Sequence, residues 1–333
     1  MLRTLLSTIA LAAAANAIAA TVTPPVALDA RAATFNDTLH DGDSVGHLRL
    51  HGMLALPDVD AGEIPMSQLS GLAWDDDNGI LYAISDKGAL FHLRPTIRNN
   101  TLVSVELLKA VRLRDLGSDR PLRRWRADSE GLDILNGHNG RRGDEELIIS
   151  FEETPRVWRY RPNGEAIAAY ALPPPLGNKN AYRDPNLMLE SVCADPQLGI
   201  LTAPEMPLRG ERKGMTRIFD LDGKSWLYPL EPGNAISDMA CLGNRDVLVL
   251  ERMFGRLFGR NVISLRRVKL PETPSLDEPL APDTIAVLDA AAGLAIDNFE
   301  GLTHHRSSYF FMVSDDNDYF FQRTLLLYFE ILP

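Results

Sequence analysis

Short apolar runs separated by polar turns occupy most of this chain. From Ser70 onward, runs of alternating or continuous apolar residues are separated by segments such as DDDNG, RPNGE, LDGKS and CLGNRD. Runs of this length bounded by Gly, Asn, Asp and Pro are typical of β-strands and turns. No stretch of the sequence keeps the 3.6-residue apolar period of a strong amphipathic helix. The pattern therefore predicts an all-β protein.

The stretch DNFEGLTHHRSSYFFMVSDDN, from Asp297 to Asn317, displays a unit that recurs along the chain. An acidic residue or Ser opens a short apolar strand, a turn follows, and a second strand ends in another acidic residue. Spacings of 60, 60, 48 and 62 residues separate the five opening positions, which are Ser70, Glu130, Glu190, Asp238 and Glu300. Repeats of this period, with about four strands each, are typical of β-propeller blades.

The last repeat contains only three predicted strands, whereas an additional strand, His47–Leu56, precedes the first repeat. We expect this strand to pair as the outer strand of the last blade, because that closes the ring. The sequence thus predicts a five-bladed β-propeller closed by an N-terminal outer strand, or a six-bladed one if a degenerate blade is present. Residues 44–333 form the predicted propeller domain, and residues 21–43 a leader or loop.

The N-terminus has the features of a secretory signal peptide over residues 1–20. Arg3 gives a positive charge, Leu5–Ala15 is a short apolar run, and Ala17-Ile18-Ala19 matches the small-residue cleavage signal. The apolar run is too short to span a membrane, and no later segment of the sequence reaches about 18 apolar residues. We therefore expect an exported protein, periplasmic or secreted, without a membrane span.

Charge and cysteine content restrict the partners and the cross-links. The formal net charge is −11 and no basic stripe occurs in the sequence, which argues against nucleic acid and favours a monomer that binds cations or a small molecule.

Cys193 and Cys241 each lie three residues after an acid, Glu190 and Asp238, so they belong on neighbouring inner strands. They form either a disulfide or two buried free thiols.

The repeat geometry predicts an acidic site at one end of the propeller. In an antiparallel pair, the start of the first strand and the end of the second lie at the same end of the sheet. The five opening positions should therefore share one rim with the acids that end the second strands, Asp86, Glu152, Glu205, Glu251 and Asp315. Carboxylates at this density favour Ca²⁺, or Mg²⁺ as the alternative. The predicted metal ligands are Glu130, Glu190, Asp238, Glu300 and Asp315.

Five segments of the sequence resemble the family called esterase-like activity of phytase. They are L-S-G-L-A…L-Y-A-I-S-D, S-E-G-L, E-S-V, I-S-D-M…V-L-E-R and D-N-F-E-G-L…V-S-D-D-N. The resemblance extends over roughly residues 69–331. It implies a propeller that hydrolyses phosphate esters or other esters. The nearest counterpart of the D-A-D-D-P-A signature of β-propeller phytases, Trp74-Asp75-Asp76-Asp77-Asn78-Gly79, lacks the proline and lies in a turn.

Two classes of function are compatible with these features. The first is a metal-dependent hydrolase in which Glu130 or Glu300 acts as general base and Arg252 or Lys87 holds the substrate anion. The second is a non-catalytic propeller of the cell envelope that binds a ligand or a protein and uses its cation for structure. An enzyme acting on phosphate needs basic groups that converge with the acids. A scaffold needs only enough positive charge to neutralise the ring of carboxylates.

Overall fold

The computed structural model describes residues 20–253, 260–319 and 321–333. Apart from Ala20, the predicted signal peptide lies outside the described residues. The described residues form 26 β-strands and three short 3₁₀ turns, at Arg124–Arg126, Lys179–Ala181 and Ala290–Ala292. Within these ranges, no helix has the length and apolar character needed to cross a bilayer. The all-β class is therefore confirmed.

Each of the five predicted repeats forms one antiparallel sheet, in which the first strand of the repeat lies at one edge. Sheet 1 contains β8 (Leu69–Asp75), β9 (Ile80–Ser85), β10 (Ala89–Arg98) and β11 (Thr101–Arg112). Sheet 2 contains β12 (Ser129–Leu135), β13 (Glu146–Phe151), β14 (Arg156–Tyr160) and β15 (Ala166–Tyr170). Sheet 3 contains β16 (Leu189–Asp195), β17 (Gly199–Pro204), β18 (Met215–Asp220) and β19 (Ser225–Pro229).

The last two sheets follow the same order. Sheet 4 contains β20 (Ala235–Gly243), β21 (Asp246–Met253), β22 (Val262–Lys269) and β23 (Asp283–Asp289). Sheet 5 contains β24 (Asn298–Arg306), β25 (Tyr309–Asp315), β26 (Leu325–Ile331) and, from the N-terminal part of the chain, β5 (Leu48–Ala55). The short strand β4 (Ser44–Val45) pairs with β5.

The first strands of the five sheets, which we call the inner strands, contact one another in cyclic order. β8 contacts β12, β12 contacts β16, β16 contacts β20, β20 contacts β24, and β24 contacts β8. Five apolar clusters of the described residues fill the spaces between successive sheets. Sheets are therefore covered on both faces, which explains why Leu147, Ile148 and Ile149 are consecutive in sequence and all fully buried.

The N-terminal strand β5 belongs to sheet 5. β5 pairs antiparallel with β26, with Leu54 opposite Leu326 and Arg49 opposite Glu330. Leu48 is fully buried in the cluster between sheets 4 and 5. The predicted pairing of the strand at His47–Leu56 with the last repeat is confirmed.

Residues 21–43, predicted as a leader or loop, include parts of short strands that extend the sheets. β1 (Ala20–Val22) pairs with β6 (Val59–Ala61), which pairs with β7 (Ile64–Met66) in a small sheet. β2 (Val26–Ala27) pairs with β11, and β3 (Arg31–Ala32) pairs with β5. Phe35 is 1% exposed and packs against Phe299. This segment is therefore part of the packed structure.

The two cysteines form a disulfide that joins neighbouring inner strands. Cys193 lies in β16 and Cys241 in β20, and their Cα atoms are 5.5 Å apart. The alternative of two free thiols is wrong. The bond links sheet 3 to sheet 4 near the centre of the molecule.

Glycine allows the inner strands to approach closely. A Cβ atom on Gly71 would lie 2.5 Å from the carbonyl oxygen of Glu130, and one on Gly131 would lie 2.6 Å from the backbone nitrogen of Val192. Backbone atoms cannot move aside as side chains do, so any larger residue here would push two inner strands apart. Each of these glycines follows the residue that opens its repeat.

Candidate functional site

A β-bulge lies near the start of each inner strand. The strand register shifts between Leu69 and Gly71 in sheet 1 and at the corresponding point in the other four sheets. A bulge leaves its extra residue unpaired and changes the direction of the side chain. The residues at the five bulges are Ser70, Glu130, Glu190, Ser237 and Glu300.

Sheet 4 differs by one residue from the ring predicted from the sequence. Ser237, not Asp238, occupies the bulge. The Asp238 carboxylate accepts hydrogen bonds from the backbone nitrogens of Met239, at 2.8 Å, and Leu302, at 2.7 Å, and thereby links β20 to β24. Adjacent residues in a strand point to opposite sides. Asp238 thus lies outside the acidic site, contrary to its predicted role as a metal ligand.

The end of the second strand in sheet 4 shows the same offset. Ile236 lies opposite Glu251, as Leu69 lies opposite Ser85 in sheet 1. The position equivalent to Asp86 is therefore Arg252. Glu251 is fully buried away from the rim, where it accepts a hydrogen bond from the Tyr228 hydroxyl and pairs with Arg266. An arginine thus stands where the other four sheets have acids.

Four of the five bulge residues, all except Ser237, line a cavity of about 280 Å³ together with residues at the ends of the second strands. We call it the acidic cavity. Among the described residues that line it, nine carry carboxyl groups and Arg252 is the only basic one. The nine acids are Asp86, Asp128, Glu130, Glu152, Glu153, Glu190, Glu205, Glu300 and Asp315. The cavity therefore brings together four of the five predicted metal ligands. It also contains three of the four predicted catalytic residues, Glu130, Glu300 and Arg252.

Arg252 neutralises one side of the acidic cavity. Its guanidinium lies 2.6 Å from Glu300, 3.2 Å from Glu205 and 3.4 Å from Glu190. It also donates a hydrogen bond to the side-chain oxygen of Asn298. Burial by itself would lower the pKa of Arg252, but the surrounding carboxylates outweigh burial and raise it. The arginine therefore stays charged and pairs with three glutamates, while its Nε atom is buried without a hydrogen bond.

Two groups of acids in the cavity have the spacing of metal ligands. Oxygen atoms of Asp128, Glu130 and Glu152 all lie within 4.8 Å of one another, and so do those of Glu152, Glu190 and Glu205. Ca²⁺ binds oxygens at about 2.3–2.6 Å, so two ligands of one ion lie at most about 5 Å apart. Either group matches this spacing.

The acids of the first group have few partners that stabilise their charge, since Asp128 and Glu152 each accept one backbone hydrogen bond, from Glu153 and Met188. Among the residues the structure describes, none forms a hydrogen bond or an ion pair with the side chain of Glu130, and the Oδ1 atom of Asp86 is buried without a hydrogen bond. Burial, reinforced by Glu190 and Asp128, raises the pKa of Glu130 well above its usual range. Burial and the neighbouring Asp128 raise the pKa of Glu152 to about 9. A bound cation would remove this electrostatic cost.

Two further acids extend the cavity toward sheets 1 and 5. Burial and the charge of Asp128 raise the pKa of Asp86 to about 8, and burial and the charge of Glu300 raise the pKa of Asp315 to about 9. Lys87, predicted as an anion-binding residue, does not line the acidic cavity. Its amino group lies 2.5 Å from Asp318.

Sequence reasoning missed Asp128, Glu153 and Asn186, which also line the cavity. A signal for Asp128 was present, because it precedes Glu130 by two residues and alternate residues of an extended chain face the same side. Asn186 lies in a loop with no repeat counterpart, so the sequence pattern contains no signal for it.

The sequence model of the family described as "Phytase-like: Esterase-like activity of phytase" matches residues 64–318. The chain belongs to this family. The resemblance noted in the repeats is thereby confirmed, and the cyclic arrangement of antiparallel sheets in this phytase-like protein is that of a β-propeller.

No curated protein matches this phytase-like sequence. Among solved structures, it is similar to the β-propeller domain of Cps50 (Swd1) from Myceliophteria thermophila, with a TM-score of 0.41 and 10% identity. That similarity covers 92% of this chain and 100% of the other. At this level it carries no argument about function.

Proposed function

We propose that this protein is an exported, five-bladed propeller that binds a divalent cation, Ca²⁺ or Mg²⁺, in the acidic cavity and hydrolyses phosphate esters or related esters there. The observation that carries the proposal is the composition of the cavity, in which nine acids converge with a single arginine. Hard oxygen ligands of this density suit these cations. The five sheets with contacting inner strands support the number of blades, and the residues at 1–20 support export.

We assign the cation to Asp128, Glu130 and Glu152, because Arg252 already compensates Glu190, Glu205 and Glu300. A cation bound there supplies Lewis-acid chemistry, since it polarises an ester oxygen and lowers the pKa of water. The three acids form the closest group in the cavity that has no basic partner. This division of the cavity leaves room for one cation beside the arginine.

Glu130 is the better general base of the two glutamates predicted for that role. Glu300 is held by Arg252 at 2.6 Å and accepts a hydrogen bond from the side chain of Asn298 at 2.7 Å, whereas Glu130 has no such partner within the described part of the chain. The carboxylate oxygen of Glu130 that does not bind the cation can accept the proton of the attacking water as the ester bond breaks and the leaving group departs.

The test combines metal analysis of the purified protein with a panel of phosphatase and esterase substrates, run with and without EDTA. We expect a bound divalent cation and turnover that EDTA abolishes. In Glu130→Gln, turnover per folded molecule should fall by about 10²–10⁴. The control is Glu165→Gln, an exposed acid paired only with Arg161 and Asn163. Equal turnover in Glu130→Gln and the wild type would overturn the assignment.

A non-catalytic propeller is the second candidate, and the state of Arg252 favours it. The only basic side chain that lines the acidic cavity, among the residues described, already forms ion pairs with three glutamates. A ring of acids whose charge is partly neutralised in this way can hold a structural cation. The protein would then bind a ligand or an envelope protein. In that case, EDTA would lower the melting temperature and the substrate panel would be negative.

A further inference from the structure

A second cavity, which we call the basic cavity, adjoins the acidic one. Its volume is about 310 Å³, and Asp86 lines both cavities. The basic side chains that line it are Lys87, Arg112, Arg123 and Arg124. With four basic groups against one acid, this region carries a local positive excess on a protein whose net charge is −11. The sign of the local charge thus changes from negative to positive between the two adjoining cavities.

Two of the four basic side chains form no hydrogen bond or ion pair within the described residues. Lys87 pairs with Asp318, and Arg112 donates a hydrogen bond to the backbone carbonyl of Glu63 at 2.9 Å. The side chains of Arg123 and Arg124 form no hydrogen bond or ion pair with any residue in the described ranges. Both arginines are exposed, so an oxyanion that enters the cavity can accept hydrogen bonds from their guanidinium groups.

The segment that carries these arginines is anchored. Leu122 and Ala127, on either side, are buried with 3% and 2% exposure. The next arginine, Arg126, pairs with Asp115 at 2.6 Å. Arg124 itself has a φ of 55°, a backbone conformation that costs free energy in a residue with a side chain and that occurs preferentially at functional sites. The anchors keep the guanidinium groups close to the cavity.

We propose that the basic cavity binds a doubly charged tetrahedral anionic group of the substrate, a phosphate, and positions the substrate next to the acidic cavity. Guanidinium groups bind such oxyanions through paired, charge-assisted hydrogen bonds. This inference rests on the proposed function, because it names the substrate group recognised beside the proposed catalytic centre.

The shared wall at Asp86 couples the two cavities. A cation in the acidic cavity cancels part of the repulsion between its carboxylates and an anion in the basic cavity. The anion in turn favours the cation, since such coupling is reciprocal. The two cavities together therefore bind a cation and an anion more tightly than either binds its own ion alone.

The test measures binding of inorganic sulfate by calorimetric titration of the full mature chain, in EDTA and in excess Ca²⁺. Sulfate is a permanent dianion and avoids the insolubility of calcium phosphate. We expect saturable binding that is tighter in Ca²⁺. In Arg123→Ala/Arg124→Ala the affinity should fall tenfold or more under both conditions, because the variant lacks the charged hydrogen-bond donors of both guanidinium groups. Acetate, a monoanion, should bind much more weakly than sulfate.

The matched control is Arg141→Ala/Arg142→Ala, a second pair of adjacent exposed arginines, in the loop between β12 and β13 at the far end of sheet 2. It should bind sulfate as the wild type does. If the double variant at the basic cavity is unstable, Arg123→Ala alone serves, because it leaves the backbone at Arg124 unchanged.

Absence of saturable sulfate binding by the wild type under both conditions would overturn the inference. Equal affinities for the wild type and the Arg123/Arg124 variant would do the same. The proposed hydrolase function fails independently, since a negative substrate panel together with intact, arginine-dependent sulfate binding removes the enzyme and leaves an anion-binding site.

Discussion

Replacing Arg252 with Met tests most directly whether the acidic cavity is organised around positive charge. The side chain is 15% exposed and lies 2.6–3.4 Å from three glutamates. Met keeps much of the length of Arg and removes the charge. Removal of one partner from a buried ion pair typically costs about 3–5 kcal/mol, because the remaining charge is left buried and uncompensated. We expect a loss of this size in the free energy of unfolding at pH 8 in EDTA.

The loss should depend on pH in a definite direction. Burial raises the pKa values of Glu190, Glu205 and Glu300 in the folded protein above their ordinary values. Groups of this kind contribute stability at low pH, and this contribution disappears as the pH rises through the folded-state pKa. The glutamates left by Arg252→Met therefore take up protons in acid, and the loss of stability should be smaller at pH 5 than at pH 8.

Saturating Ca²⁺ should restore stability to Arg252→Met, because the ion supplies the missing positive charge. The matched control is Arg266→Met, which breaks another buried ion pair in the same sheet, with Glu251 at 2.9 Å, outside the acidic cavity. Urea unfolding of both variants in EDTA and in Ca²⁺ makes the comparison. Wild-type stability of Arg252→Met at pH 8 in EDTA would refute the reasoning, as would equal restoration of both variants by Ca²⁺.

Four further predictions concern the fold and the cation. Deleting residues 1–56 should prevent stable folding, because it removes β5, whose Leu48, Leu50 and Leu54 are at most 5% exposed; a cooperative melt close to that of the mature protein would contradict this. Cys193→Ser should lower the free energy of unfolding by about 4 kcal/mol, from the 48-residue separation of the disulfide, as measured in guanidinium chloride. Gly131→Ala should cost about 1–3 kcal/mol in the same assay, since the new Cβ atom would meet the backbone of β16. EDTA should lower the melting temperature of the wild type and excess Ca²⁺ should restore it, and indifference of a demonstrably metal-free sample to Ca²⁺ would count against the cation.

Much of the fold followed from local pattern. Apolar runs, turn residues and a recurring unit near 60 residues were sufficient to predict the strands and their grouping into sheets. The missing strand in the last repeat was sufficient to predict the pairing of β5 with β26. These features depend on burial and on the two-residue period of strands, and both are written directly in the order of apolar and polar residues.

The exact residues of the acidic site depend on the strand register, which the sequence pattern does not specify. Glu130, Glu190, Glu300 and Asp315 line the cavity, but in sheet 4 Arg252 does so instead of Glu251, and the bulge residue is Ser237 instead of Asp238 and does not line the cavity. Acids are adjacent to both positions, so the sequence pattern could not distinguish them. The position of the β-bulge distinguishes them, because a shift of one residue turns a side chain from one side of the strand to the other.

The contact between Arg252 and three glutamates likewise depends on tertiary structure. Glu190, Glu205 and Glu300 belong to sheets 3 and 5, and the arginine to sheet 4. The basic cavity also combines distant segments, since Lys87 and Arg112 flank sheet 1 while Arg123 and Arg124 lie in the connection to sheet 2. Local pattern specifies which residues form strands, whereas the distances between charges are set only when the sheets pack around a common axis.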